Sequence, residues 1–356
     1  MDKAHYVSLS EAELPALPWY VQEYYQAKAT IPLSPATLYQ YLTEYRRFFS
    51  WLISEAIVPA PTIADIPIEA LANLSKAEIE LFKGQLLSRS KQNAKSNGQS
   101  LSHSTVNRAL TAITSLFNYL TTETENNAGE PYFYRNVMKK VALVRNNQTY
   151  SARAAAIKSK LMLGDEDHDY VTFINEHYAD TLSDKANQYF ERDRLRDVAI
   201  NALLLASGLR VSEAANSNLT DLNLKTATIA VIRKGGRRDV VPIADWALSY
   251  LRAYVDQRTI IYHAPTAEHA LFLTRYHGRA QRMQITSIEK MVAKYSSAFK
   301  VRVTPHKLRH SLASKLYLAT KNEQLVATQL GQNTTTATGL YTHIIDEQQR
   351  QALDKM

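Results

Sequence analysis

TATIAVIRKGGRRDVVPI, residues 226–243, is the stretch that decides the fold. Two short β-branched runs flank a Gly-Gly pair, the signal of a tight antiparallel hairpin, and Lys234, Arg237 and Arg238 fall at its tip. On both sides the patterning is helical and continues so to the end of the chain. The expectation is a mainly α protein with a small β-hairpin or sheet.

Upstream of the hairpin, DVAINALLLAS reaches Gly208, the residue type that closes a helix, so Arg210 in ASGLRVSEAANS projects from a fixed turn. Helix capping is the plain alternative for Arg210, and an exposed turn is the plain alternative for Lys234. Downstream, in VTPHKLRHSLASKLYLAT (303–320), Thr304 and Pro305 mark a helix start. His306, Arg309 and His310 then share one face at the positive end of the helix dipole, which suits an anion. His306 and His310 also have the spacing of a metal pair, but no glutamate stands beside them and Arg309 puts a permanent cation among the ligands. Last comes LGQNTTTATGLYTHI (330–344), a poor helix and a poor core strand, with Gln332 near its start and Tyr341 near its end.

The 356 residues are 45% hydrophobic, enough for two domains with a core each. VAINALLLA at 198–206 is far too short to cross a bilayer, and Met1–Ser10 lacks the basic and apolar regions of a signal peptide, so a soluble cytoplasmic protein without a membrane partner is expected. The absence of cysteine excludes disulfides, thiolate metal sites and cysteine nucleophiles. The net charge of +8 is unevenly spread. Residues 1–150 carry 14 Lys+Arg and 13 Asp+Glu, whereas 185–356 carry 25 and 14, so a polyanionic partner would meet the C-terminal part.

In the N-terminal part, Ser34 and Pro35 open a helix whose Leu38, Tyr41, Leu42, Tyr45, Phe48, Phe49 and Leu52 recur on one face. A second opens with Ser104 as cap and turns Val106, Leu110, Ile113, Leu116, Phe117 and Leu120 inward. IEALANLSKAEIELFKGQLLSRS adds one or two more helices between them, giving a small bundle to about residue 125. Arg46, Arg47, Arg89, Lys91, Lys95 and Arg108 lie on exposed faces or in the basic loop SRSKQNAKSNGQS, where they either contact phosphates or solubilise the bundle. Composition shifts over 126–168, which is expected to be an interdomain connector, with a second domain over 169–356.

Two arginines, a lysine, an imidazole and a phenol, without a carboxylate pair, are equipment for a phosphodiester. Arginines match the planar oxygens of phosphate and keep their charge, while a phenol of pKa ~10 needs a base or nearby cations to become a nucleophile. The order Arg210, Lys234 on a hairpin, His306-x-x-Arg309, then Tyr341 resembles the tyrosine recombinase (phage integrase) family, and the similarity spans nearly the whole chain. EPYFYRNVMKKV and the connector SARAAAIKSKLMLGDE further resemble the Xer-type branch that acts alone.

The resemblance implies an N-terminal SAM-like helical core-binding domain and a C-terminal α/β catalytic domain. It implies that Tyr341 attacks a DNA phosphate to give a 3′-phosphotyrosyl link, that Arg210 and Arg309 clamp that phosphate, that Lys234 is the general acid, and that His306 is the base or relay. Glu213 would orient the site from behind Arg210, and Arg237 and Arg238 would reach DNA. No cofactor, metal or nucleotide is implied. The partners implied are double-stranded DNA at a dif-like site, three further copies in a tetramer on two duplexes, and the FtsK translocase, with chromosome-dimer resolution as the task. A mobile-element integrase and a catalytically silent DNA-binding protein are the alternatives. The chain departs from the family at Gln332, where His or Trp is usual; an amide still donates a hydrogen bond but does not titrate.

Overall fold

A computed structural model of the chain describes residues 3–31, 33–89, 100–145, 152, 156–233 and 236–332. The chain divides into two compact units, Met1–Asn147 and Gln148–Met356.

The first unit is helical: α1 (Lys3–Glu13), α2 (Trp19–Ala29), α3 (Pro35–Ser54), α4 (Ile68–Asn73), α5 (Lys76–Ser88) and α6 (His103–Thr122). The Ser34 hydroxyl accepts from the Thr37 amide and Pro35 occupies the first turn of α3, as the sequence pattern requires. The cap of α6 is Ser102 instead of the expected Ser104. Ser102 has the extended backbone of a cap and accepts from the Thr105 amide, which leaves Ser104 inside the first turn. The apolar faces of α3 and α6 close on each other, and the buried Tyr45 hydroxyl donates to the Ala112 carbonyl. Helices α1 and α2 precede those legible in the sequence. On α2 the buried side chains include Tyr20 and Tyr24, and the hydroxyl of Tyr24 hydrogen-bonds Ser115, so an apolar count passes over them.

The described part of the expected connector packs on both units. Phe133, Val137 and Met138 enter the first core, and the Asn107 amide clips Val144 to α6. Leu161 and Met162 belong to the second unit, where the Met162 amide donates to Ser311 Oγ.

The second unit continues with α7 (Glu166–Thr172), α8 (Asp184–Ser207), α9 (Val211–Asn216), β1 (Leu222–Asn223), β2 (Thr228–Ile232), β3 (Arg238–Pro242), α10 (Leu248–Tyr262), β4 (Leu273–Tyr276), β5 (Arg279–Arg282), α11 (Ile285–Phe299), α12 (Pro305–Thr320) and α13 (Glu323–Leu330). The last third of α8 is buried all round and packs against α10 and α12, which makes it the axis of this unit. The expected hairpin is present, antiparallel with Ile229 opposite Val241 and Ile232 opposite Arg238, and β1 adds a third strand. Its loop closes through the Arg233 amide on the Arg237 carbonyl at 2.8 Å, with Gly236 at φ 82°.

Unbroken helices after residue 243 are not what the chain forms. β4 and β5 make a second hairpin around His277 and Gly278, both at positive φ. LTRYHGRAQR is short and polar, so neither period stands out in it. Asp167 of α7 is buried against Lys315 of α12 at 2.6 Å, tying the end of the expected connector to that helix.

Candidate active site

Gly208 closes α8 in the left-handed region, φ 67°, and lets the chain turn within two residues to Arg210, the N-cap of α9. Arg210 is held by one carboxylate. Its amide donates to Glu213 Oε2 at 2.7 Å and its Nη1 to Glu213 Oε1 at 2.8 Å. The Glu213 side chain is 3% exposed and that of Arg210 36%, so the buried anion aims a cation whose outer edge meets solvent.

Arg309, on the first turns of α12, is buried. Its Nη1 donates to the Gly208 carbonyl and its Nη2 to the Leu330 carbonyl, each at 2.5 Å. It thus fastens the turn before Arg210 to the C-terminal end of α13, where carbonyls lack helical partners. Gly331 caps α13 at φ 58°, and the Gln332 amide donates back to Ala327. The Gln332 side-chain oxygen is buried and has no hydrogen-bond partner among the described residues.

His306 stands at the surface one turn before His310, their ring centroids 4.4 Å apart. Partial desolvation, then the charges of Arg309, Lys307 and Arg210, hold the His306 imidazole below its usual value. Burial, followed by His306, Lys307 and Arg309, pushes His310 down to about 3. The lowered value favours the neutral form of His306, which can accept a proton beside an anion, whereas His310 is too weak a base for that task. Among the described residues no group of three or more His, Cys, Asp or Glu gathers as a metal site.

Arg210, Glu213, His306, Arg309 and Gln332 therefore stand at or beside three helix ends, which Arg309 ties together through the carbonyls of Gly208 and Leu330. Lys234 and Tyr341 lie outside the described residues, as do Lys91 and Lys95. Arg237 and Arg238 are exposed beside the hairpin loop. In the first unit, Arg46 pairs with Glu13 at 2.9 Å, while Arg47 and, at 4.0 Å, Arg108 both face the buried Glu44. The side chains of Arg46 and Arg108 are themselves about half exposed, at 53% and 51%, so both keep a face open to a polyanion. Arg89 follows α5, its amide bonded to Gln85.

One residue went unread in the sequence. Arg233 is 4% exposed. Its guanidinium reaches Asp239 Oδ2 at 3.0 Å, Glu213 Oε2 at 3.1 Å and the Gln329 carbonyl at 3.2 Å. The period of two held the signal: Ile229 and Val231 point inward, so Arg233 does too.

Residues 172–348 match the phage integrase family. Over 340 residues, 96% of each chain, the sequence is 51% identical to tyrosine recombinase XerS of Streptococcus sanguinis (strain SK36) and 52% identical to that of Streptococcus pneumoniae (strain Hungary19A-6). The fold resembles that of the XerH site-specific recombinase in its post-cleavage complex with a palindromic difH substrate, at a TM-score of 0.61 and 21% identity, covering 90% of this chain and 78% of that one. It also resembles a lambda integrase dimer bound to a COC′ core site, at 0.57 and 13%, covering 90% and 93%. With half its residues identical to curated relatives along nearly its whole length, and with their helical N-terminal and catalytic C-terminal architecture, the chain belongs to the tyrosine recombinases, the DNA strand transferases of the phage integrase family.

Proposed function

We propose that the chain is a Xer-type site-specific recombinase that resolves chromosome dimers at a dif-like site in the cytoplasm, as a tetramer on two DNA duplexes and in concert with FtsK. The Tyr341 oxygen attacks the scissile phosphorus, a new O–P bond forms, and the bond to the 5′-oxygen breaks. The phenolic proton passes to His306, directly or by relay, while Lys234 protonates the departing 5′-oxygen. Arg210 and Arg309 offset the charge that grows on the nonbridging oxygens, Glu213 orients Arg210, and Gln332 donates a hydrogen bond to the phosphate. Rejoining runs the same steps in reverse on a partner strand, so the phosphotyrosyl link conserves the bond.

The observation that carries this reading is Arg309 bound to the carbonyl of Gly208, two residues before Arg210, with His306 one turn before Arg309 on α12, in a chain whose final 172 residues are strongly basic. Arg46, Arg47, Arg89, Lys91, Lys95, Arg108, Arg237 and Arg238 would supply backbone contacts to the duplex. A nicked suicide duplex carrying the dif-like site of the same genome tests the proposal. The intact chain should form a covalent adduct that Tyr341→Phe abolishes without loss of binding. An adduct that persists in Tyr341→Phe, or none from the intact chain, would refute it.

A further inference from the structure

We propose that Arg233 is a positioning residue for strand cleavage: through Glu213 it keeps the charge of Arg210 available to the phosphate, and through Gln329 it fixes the point from which the chain departs toward Gln332 and Tyr341. The inference rests on the recombinase reading of the same site and adds a residue to it.

The argument starts from charge. Glu213 is buried and its two oxygens face two arginines, Arg210 through Oε1 and Arg233 through Oε2. Were Arg233 absent, the carboxylate would be matched by Arg210 alone, and a one-to-one buried pair leaves little net positive field for a substrate anion. With Arg233 present, Glu213 is shared between two cations. The second anion of the cluster, Asp239, pairs with Arg233 and is 33% exposed, so its opposing charge is partly screened by solvent and Arg210, the more exposed guanidinium, keeps more of its own. Asp239 Oδ2 accepts from Arg233 Nε at 3.0 Å, a different nitrogen from the one that reaches Glu213. The guanidinium is thus gripped on three edges by α9, β3 and α13, which fixes the plane of the Glu213 carboxylate and with it the direction of Arg210.

The second role is steric. A methyl group placed on Gly331 would lie 2.5 Å from Arg233 Nε and 2.6 Å from its Cζ, closer than any unstrained contact. The cap of α13 therefore sits directly on the guanidinium, and an arginine held on three edges has no room to retreat. Arg309 holds the Leu330 carbonyl one residue away, so two buried arginines together set where α13 ends. Arg233 also precedes Lys234 in the chain, so one residue is wired to Arg210 through Glu213, to the hairpin strand that leads to Lys234 and to the end of α13.

The test uses the full chain, its Arg233→Met, Arg233→Lys and Gly331→Ala variants, and the suicide duplex. Duplex affinity should stay within about twofold, while the adduct rate of Arg233→Met falls about 30-fold or more, a fraction of what losing a direct oxyanion donor costs. Arg233→Lys, which keeps the charge and loses the fork, should recover part of that rate, and Gly331→Ala should show a loss of the same kind. Replacing the scissile phosphate with a neutral methylphosphonate removes the charge that Arg210 serves, so the gap between wild type and Arg233→Met should shrink to about threefold or less. A gap unchanged on the methylphosphonate, or a variant rate within about threefold of wild type, overturns the proposal.

A second reading is independent of catalysis. Labelling of Arg210 by phenylglyoxal, followed by peptide mass, should slow at least about threefold in Arg233→Met as Glu213 closes on it. Unchanged or faster labelling overturns the proposal even if no adduct forms. Absence of adduct in wild type with slowed labelling in the variant would instead condemn the recombinase reading and leave the Arg233–Glu213–Arg210 linkage standing.

Discussion

Replacing Gly208 with alanine should damage the site through a single methyl group, and Gly164 provides the matched control. Both glycines have positive φ, 67° and 58°, so each Gly→Ala change carries the left-handed penalty of ~1–2 kcal/mol, partly offset by a stiffer unfolded chain worth ~0.4–1 kcal/mol. Nothing lies within 4 Å of a methyl at Gly164. At Gly208 the same methyl meets Leu312 Cδ2 at 2.9 Å and Leu330 Cδ2 at 3.0 Å, and Leu330 is fully buried. Overpacking of this kind adds ~1–3 kcal/mol, so Gly208→Ala should cost about 2–4 kcal/mol against about 1 for Gly164→Ala. Amide exchange in α8 and α12 is the assay: at about 1.4 kcal/mol per tenfold, protection should fall about 30- to 1000-fold in the first variant and about fivefold in the second. The Gly208 carbonyl anchors Arg309 and the next two residues lead to Arg210, so adduct formation should drop with Gly208→Ala and stay at wild-type level with Gly164→Ala. Equal protection losses in the two variants would refute the reasoning, because they would mean that Leu312 and Leu330 yield without cost.

Two further outcomes follow from the second unit. His310 is held at about 3, below its unfolded value of ~6.5, so the unfolded chain takes up the proton first as pH falls. Its contribution is present above ~6.5 and drains toward 3, and between pH 7 and 5 wild type should lose up to about 2 kcal/mol more than His310→Gln in the exchange assay; parallel pH curves would dispose of the idea. Lys315→Met strands the Asp167 carboxylate, 5% exposed, and should cost ~1–3 kcal/mol, most of it recovered in the Asp167→Asn/Lys315→Met double variant. Additive effects of the two changes would show that the pair is not coupled.

Much of the fold is legible in the sequence because its signals are local. The hairpin at 228–242 follows from two β-branched runs around Gly-Gly, the turn before Arg210 from Gly208, and the start of α12 from Thr304-Pro305. The faces of α3 and α6 follow from helical spacing alone. Local signals also fail in identifiable ways. Two serines compete for the cap of α6 and only backbone geometry chooses Ser102; the β4–β5 hairpin has too few apolar residues to display a period; α2 hides its core face behind tyrosine hydroxyls.

The sequence by itself carried the chemical expectation, since Arg210, Lys234, His306, Arg309 and Tyr341, in that order, are equipment for a phosphodiester whatever their packing. What only the tertiary structure decided is how the cations are arranged. Arg309 and Arg210 look alike in sequence, yet one is buried on the carbonyls of Gly208 and Leu330 while the other stands at the surface on Glu213. Arg233, unremarked beside Lys234, proves to hold Glu213, Asp239 and Gln329 together. The physical reason is one of range: capping, turns and amphipathic spacing act within a few residues, whereas the partner of a buried charge is whatever the fold brings to it, here from 96 residues away.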